Sequence, residues 1–463
     1  MSEEIRPAKF RLFVMMVLQF FIWGAWLPLI FGYLPSLGFS PDNPPAAIAP
    51  YVPSFLKVLF SEQALILNMF PLAAIIGMFF SNQFADRNFA AERFLAFSHL
   101  VGGLAMLGLG YTKNFGPFLG LMFIHCLLYV PTISITNSIA LANMKDAQKE
   151  FGIVRMGGTI GWIMAAWPFT FILVDWEKVK AAHPEGIVAW LGAILGNGLT
   201  GQALKDATHW TFIVAGIASL ALAFYSLSLP HTPAKKKEEG ARESLAWLEA
   251  MKLLKHPFIL ILFLVTFVDA YVHNSYFVWT GNFLGTDVSK GGVGIPGNWI
   301  MPVMSVGQIA EILTMAVLGM TLKRLGWKWT MVVGVLGYAV RFAVYSFLPQ
   351  YAWLIILVQI AHGICYAFFF ATVYIFVDAY FPKDARASAQ GLFNVMILGV
   401  GSLVANSISP YLSQKVFVNA DGTTNFHTLF LLPCLLALGN AIALALFFNP
   451  PPQADASAVA TGH

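Results

Sequence analysis

The sequence predicts an all-α membrane protein: twelve transmembrane helices in two pseudo-symmetric six-helix halves. Three observations carry that prediction. Only 11% of the 463 residues are charged and 58% are hydrophobic, whereas a soluble domain coats itself with roughly 25% charged residues. Cutting at clusters of charge, proline and glycine leaves apolar stretches near 10–34, 62–84, 94–112, 115–143, 154–175 and 209–229, then near 257–284, 298–322, 329–348, 351–377, 387–412 and 426–448. Most reach the roughly 20 residues that a helix needs to cross hydrocarbon. Finally, a charged loop signature recurs about half a chain apart: Asn82-Gln-Phe-Ala-Asp86-Arg87 after the second stretch and Gly319-Met-Thr-Leu-Lys323-Arg324-Leu-Gly326-Trp-Lys328 after the eighth. Internal repeats of this kind underlie many secondary transporters.

The first stretch starts close to Met1, is too long for a signal-peptide core and lacks a small-residue cleavage site, so it is expected to stay as the first span. Positive charge sets the topology, because Lys and Arg are retained on the cytoplasmic side. Loops on the side of the N-terminus hold Arg87, Arg93, Lys145, Lys149, Lys235, Lys236, Lys237, Arg242, Lys323, Arg324 and Lys328, among others. The opposite loops hold only Lys57, Lys113, Lys178, Lys180, Lys205, Lys290 and Lys415. Both termini are therefore expected in the cytoplasm. The same loops account for the net charge of +4, so the basic excess points to anionic lipid and not to nucleic acid.

The expected organisation is an N-terminal bundle over 1–230, a cytoplasmic linker over 231–256, a C-terminal bundle over 257–449 and a cytoplasmic tail over 450–463. The linker opens on Pro233-Ala-Lys-Lys-Lys-Glu-Glu-Gly-Ala-Arg242 and continues into a short amphipathic stretch, Ser244 to Lys252. Between spans five and six, Trp176 to His209 contains the apolar run Ile187 to Leu199. That run is too short to cross convincingly, so it is expected to be an outer re-entrant or surface helix.

Catalysis finds no support. Cys126, Cys365 and Cys434 fall inside spans without a CxxC pair or nearby metal ligands, so neither a disulfide nor a metal is expected. The sequence shows no phosphate loop and no nucleophile–base pairing, and no cofactor is expected.

Polar residues inside spans are the candidate site. A charge at mid-bilayer costs about 2.5–3.5 kcal/mol on insertion scales, so such residues usually line a substrate path. Arg155 and Thr159 are four apart on span five, Gln308 and Glu311 three apart on span eight, Asp269 and His273 four apart on span seven, and His362 and Tyr366 four apart on span ten. Each pair shares one helical face. One arginine offset by two carboxylates suits a neutral polar solute better than a phosphorylated one. Trp23 and Trp26 on span one offer aromatic faces. Arg341, near the end of span nine, reads as a snorkelling anchor or a structural residue; His125 and Asp378 read as structural.

The loop signature resembles that of the major facilitator superfamily, although Asn82 stands where a glycine is usual. A narrower resemblance covers nearly the whole chain, to the nucleoside:proton symporter family of bacterial nucleoside permeases. It rests on Leu18-Gln-Phe-Phe-Ile-Trp-Gly-Ala-Trp-Leu27, Tyr129-Val-Pro-Thr132, Arg155-Met-Gly-Gly-Thr-Ile-Gly161, Leu229-Pro-His-Thr-Pro233, Gln308-Ile-Ala-Glu311, Arg341-Phe-Ala343 and Arg386-Ala-Ser-Ala-Gln-Gly391. The resemblance implies nucleoside import across the bacterial inner membrane by proton symport and alternating access; the alternative is another neutral polar solute such as a sugar. It implies substrate contacts from Arg155, Thr159, Trp162, Gln308, Glu311, His362 and Tyr366. His273 and Tyr276 stand where the best-known members carry amides. The family pattern has an aspartate where this chain has Ala367, which leaves Glu311, Asp269 and the histidines as the groups able to carry a proton. Glu311 is the expected carrier, with Asp269 and His273 replacing the missing carboxylate. The expected partners are a nucleoside, protons and membrane lipid, with the protein a monomer.

Overall fold

The structure is a computed structural model and describes residues 5–76, 89–144, 147–233, 253–381 and 383–450. The first copy of the charged loop, most of the linker and the C-terminal tail lie outside the described residues. Among the described residues, nine helices are long and apolar enough to cross a membrane.

The helices used below are α1 (Ile5–Ser36), α2 (Met69–Ile76), α3 (Ala91–Tyr111), α4 (Phe115–Ala142), α5 (Ala147–Ala166), α6 (Gly186–Gly196) and α7 (Trp210–Ser226). They continue with α8 (Pro257–Gly285), α9 (Gly297–Phe347), α10 (Ala352–Tyr380), α11 (Ala389–Val416) and α12 (Phe426–Phe447). α9 is two spans in one run, broken at Gly326, whose φ of 69° and ψ of 178° suit a residue without a Cβ. α2 runs into residues outside the description. α5 carries Lys149, Glu150 and Arg155, too many charges for a purely apolar crossing. Counting α9 as two, the described helices follow the order of the twelve expected stretches, with span two described only up to residue 76 and span five shifted from 154–175 to Ala147–Ala166.

The chain divides into two compact units. Unit one holds Met1–Lys237 with Phe277–Ser305, and unit two holds Glu238–Tyr276 with Val306–His463. The later part of α8 and the first part of α9 thus belong to unit one.

In unit one, α5 lies against α1 because α5 presents no side chain where they cross. A Cβ on Gly157 would stand 2.8 Å from the carbonyl oxygen of Phe13, and one on Gly161 would overlap the Val17 carbonyl. Lys9 and Glu150 pair at 2.6 Å near the start of both helices. A buried hydrogen-bond network joins α1, α3, α4 and α7. Gln19 Nε2 donates to Thr132 Oγ1 at 2.9 Å, and its Oε1 faces His99 Nε2 at 2.9 Å. His99 Nδ1 meets Ser219 Oγ at 3.0 Å, and the Tyr129 hydroxyl donates to the Gln19 carbonyl at 2.6 Å. The network satisfies groups that would each cost about 1–3 kcal/mol if buried unpaired. His125, expected to be structural, is buried with Nδ1 3.1 Å from the Gly102 carbonyl.

In unit two, close packing again rests on glycines. A Cβ on Gly307 of α9 would stand 2.8 Å from the Cβ of His362, and one on Gly363 of α10 would stand 2.7 Å from the Ala310 carbonyl oxygen and closer still to the Glu311 nitrogen. α9 and α10 therefore cross at contact distance at the positions that carry the candidate polar residues.

Candidate functional site

In unit two, Asp269, His273 and Tyr276 descend one face of α8 at helical spacing. His273 Nδ1 lies 2.7 Å from the Tyr338 hydroxyl, and its ring stacks on His362 at 5.2 Å and meets Phe370 edge-on at 5.2 Å. Tyr366 lies 6.2 Å from the same ring. Tyr276 packs on His362 at 4.8 Å, and its hydroxyl donates to Gln359 Oε1 at 3.0 Å. Gln359 Nε2 in turn donates to the Tyr345 hydroxyl at 2.6 Å. His273, Tyr276, His362 and Tyr366 thus form one aromatic cluster. The Asp269–His273 hydrogen bond that their spacing allows does not form. Both Asp269 oxygens are buried without a hydrogen-bond partner, and His273 bonds Tyr338 instead.

Arg341 is left open by the sequence to two readings, a snorkelling anchor or a structural residue. It does not snorkel: its side chain is 0% exposed. The guanidinium stacks over Tyr276 at 4.1 Å, with Phe342 at 5.1 Å and Tyr338 at 5.2 Å. When desolvated, such contacts contribute about 2 kcal/mol or more. Nη1 donates to His362 Nδ1 at 3.0 Å. An arginine can only donate, so this bond makes Nδ1 the acceptor and leaves the ring proton on His362 Nε2. Arg341 Nε and Nη2 have no partner. The sequence offered two signals, a lone arginine in an apolar run and the Arg341-Phe-Ala343 stretch, while nearness to the span end kept the anchoring reading open.

Gln308 is buried on α9 with Oε1 unpartnered, and Glu311 follows one turn later at the Gly363 crossing. Ala367 lies in a π-helical turn, Tyr366–Ala371, a distortion often found at functional sites. Its methyl packs in an apolar cluster with Leu318, Phe368 and Ala371. Where the family pattern has a carboxylate, this chain has apolar packing.

In unit one, the Arg155 guanidinium lies over the Phe20 ring at 4.2 Å. Trp162 meets Trp23 edge-on at 5.2 Å, and Trp23 stacks on Phe70 at 4.6 Å. Phe277 lies 6.1 Å from Trp162. Arg155, Thr159 and Trp162 are each half-buried, on the flank of α5 beside its glycine contact with α1. Trp23 Nε1 is buried without a partner, and Trp26 packs edge-on to His125 at 6.1 Å. Among the described residues, no three His, Cys, Asp or Glu side chains converge to hold a metal.

Long apolar helices with polar side chains buried within spans suit a secondary transporter. Crystal structures of the nucleoside transporter NupG match the fold at TM-scores of 0.76 and 0.73, with 22% identity over 96% of this chain and all of theirs. That of a D-xylose–proton symporter matches at 0.64 with 15% identity, covering 97% of this chain and 99% of the other. The chain belongs to the nucleoside H+ symporter family, whose model matches residues 7–197 and 185–453. Among curated relatives, the putative nucleoside transporter YegT of Escherichia coli K12 is 27% identical over 95% of this chain and 93% of its own length. Xanthosine permease of the same organism is 26% identical over 95% and 94%.

Proposed function

We propose that this chain imports nucleosides across the bacterial inner membrane together with protons, with both termini cytoplasmic. The halves 1–230 and 257–449 alternate access about the 231–256 linker. The observation that carries the assignment of residues is the set of buried polar atoms in unit two without a protein partner: both Asp269 oxygens, Gln308 Oε1, and Arg341 Nε and Nη2. Each costs about 1–3 kcal/mol in a sealed interior, so their persistence is understandable if substrate, water or a proton engages them during the cycle.

The substrate groups are His273, Tyr276, Gln308, Glu311, His362 and Tyr366 from unit two and Arg155, Thr159 and Trp162 from unit one. Aromatic rings supply flat faces for a nucleobase. The His362 Nε2 proton, the Gln308 amide and the Glu311 carboxylate supply donors and acceptors for base edge and ribose hydroxyls. Glu311 carries the proton, and Asp269 with His273 substitutes for the carboxylate missing at Ala367. In a bilayer a buried acid is neutralised more readily than it is left charged and unpaired, which lets proton uptake and solute binding assist each other.

The test is titration of detergent-purified protein with uridine and adenosine. Arg155→Ala should weaken binding by about 10- to 100-fold, the worth of a hydrogen bond to a charged group, and Arg155→Lys should not restore it. Unchanged affinity in Arg155→Ala would remove this residue from the site.

A further inference from the structure

Helix α6 has no charged, hydroxyl or amide side chain in its eleven residues, Gly-Ile-Val-Ala-Trp-Leu-Gly-Ala-Ile-Leu-Gly. Only Ile194 is buried, in a small cluster with Val174 and Val179, while Ile187 is 80% exposed and Val188 85% exposed, with Trp190 and Leu191 about half so. The helix sits inside the loop that the antiparallel bridge of Val174 with Gly198 closes, ahead of α7, at the end of unit one where α1 finishes, with Tyr33 5.8 Å from Phe212 of α7. At about 1.5 Å per residue it reaches half of a hydrocarbon core. Contiguous apolar surface of this kind is rare on a protein face that meets water.

Two further observations indicate what covers it. Trp176 and Trp190 lie 5.7 Å apart, and paired tryptophans collect at membrane interfaces. The polar residues stand before the helix: Lys178 pairs with Asp175 and Lys180 with Glu177, each at 3.1 Å. A charged collar followed by an apolar helix continuous with membrane-spanning segments suits the boundary between headgroups and acyl chains.

We propose that α6 is seated in lipid, in the leaflet at the end of unit one opposite the N-terminus, and that this seat braces the start of α9. The brace is visible in hydrogen bonds. The last carbonyls of a helix have no partner within it, and those of α6 are taken by neighbouring side chains. Asn197 Nδ2 donates to the Ala193 carbonyl at 2.8 Å and Trp299 Nε1 to that of Leu195 at 2.8 Å. Asn298 Nδ2 reaches the Ile194 and Leu195 carbonyls at 3.3 and 3.4 Å, and the Gly297 amide donates to the Leu199 carbonyl at 2.8 Å. A Cβ on Gly198 would overlap the Asn298 amide, so a larger residue there would have to displace that side chain. α9, held here at its first turn, goes on to carry Gln308 and Glu311.

The test places a fluorescent thiol label on Val188→Cys and on Lys180→Cys in proteoliposomes, with unsubstituted protein giving the background from Cys434. Phospholipids bearing a nitroxide near the headgroup should quench the label at 188 about threefold more than that at 180, and aqueous iodide should do the reverse. Ala189→Cys, in the same exposed stretch, serves if the first variant does not fold. Iodide quenching at 188 equal to that at 180 would overturn the proposal. So would protection from both quenchers with crosslinking between two copies, which would make the helix a subunit contact.

Discussion

Replacing Gly363 by valine is expected to abolish uptake. Even a single Cβ there would stand 2.7 Å from the Ala310 carbonyl oxygen, with the Glu311 nitrogen closer still. The obstacle is backbone, which cannot rotate aside as a side chain would. Overpacking of this kind costs about 1–3 kcal/mol where neighbours can give, and here the relief available is to push α9 away from α10. The displaced positions are Gln308 and Glu311 on one helix and His362 and Tyr366 on the other. A misplacement of about 1 Å can lower a rate about 100-fold, so the loss of function should exceed the loss of stability. Gly439→Val is the control: nothing lies within 4 Å of a Cβ at Gly439, and uptake should be retained. Uptake and melting temperature measured on both variants check the claim, and near-normal uptake by Gly363→Val would contradict the crossing.

Arg341→Met is the second large effect. Methionine fills space among Tyr276, Tyr338 and Phe342 but cannot donate to His362 Nδ1, and it carries no charge to lie over the Tyr276 ring. Truncating one member of a buried charged network costs about 2–5 kcal/mol, on the order of 30-fold or more. Lysine should not rescue, because it lacks the planar fork that stacks on Tyr276 while bonding the histidine. The loss should appear in KM for uridine, since without Arg341 the His362 proton is no longer confined to Nε2. A change in melting temperature alone, with KM unaltered, would reduce Arg341 to a packing residue.

Hydropathy alone made the spans legible, because lipid demands long apolar helices. It was weakest where function intrudes, since α5 carries three charges; spans eight and nine were told apart by the charged Lys323–Lys328 loop, within which the helix breaks at Gly326. Residue spacing correctly grouped Asp269 with His273 and His362 with Tyr366 on their helices. It could not show that His273 bonds Tyr338 rather than Asp269, because that choice is made by a neighbouring helix. Arg341 stayed undecided between anchor and structural residue for the same reason: position along a span says nothing about which rings surround it. The buried Gln19–His99–Thr132 network was missed outright, since three polar residues on three helices leave no local pattern. Gly161 and Gly363 were visible as letters, but their purpose appears only when the facing backbone is known.

Coupling of nucleoside movement to protons through Glu311 and Asp269 is tested by uridine uptake into proteoliposomes with an inward proton gradient. Wild-type protein should accumulate uridine above equilibrium and lose that accumulation when the gradient is collapsed. Glu311→Gln and Asp269→Asn should each fail to accumulate it. Full gradient-driven accumulation by both variants would contradict the claim.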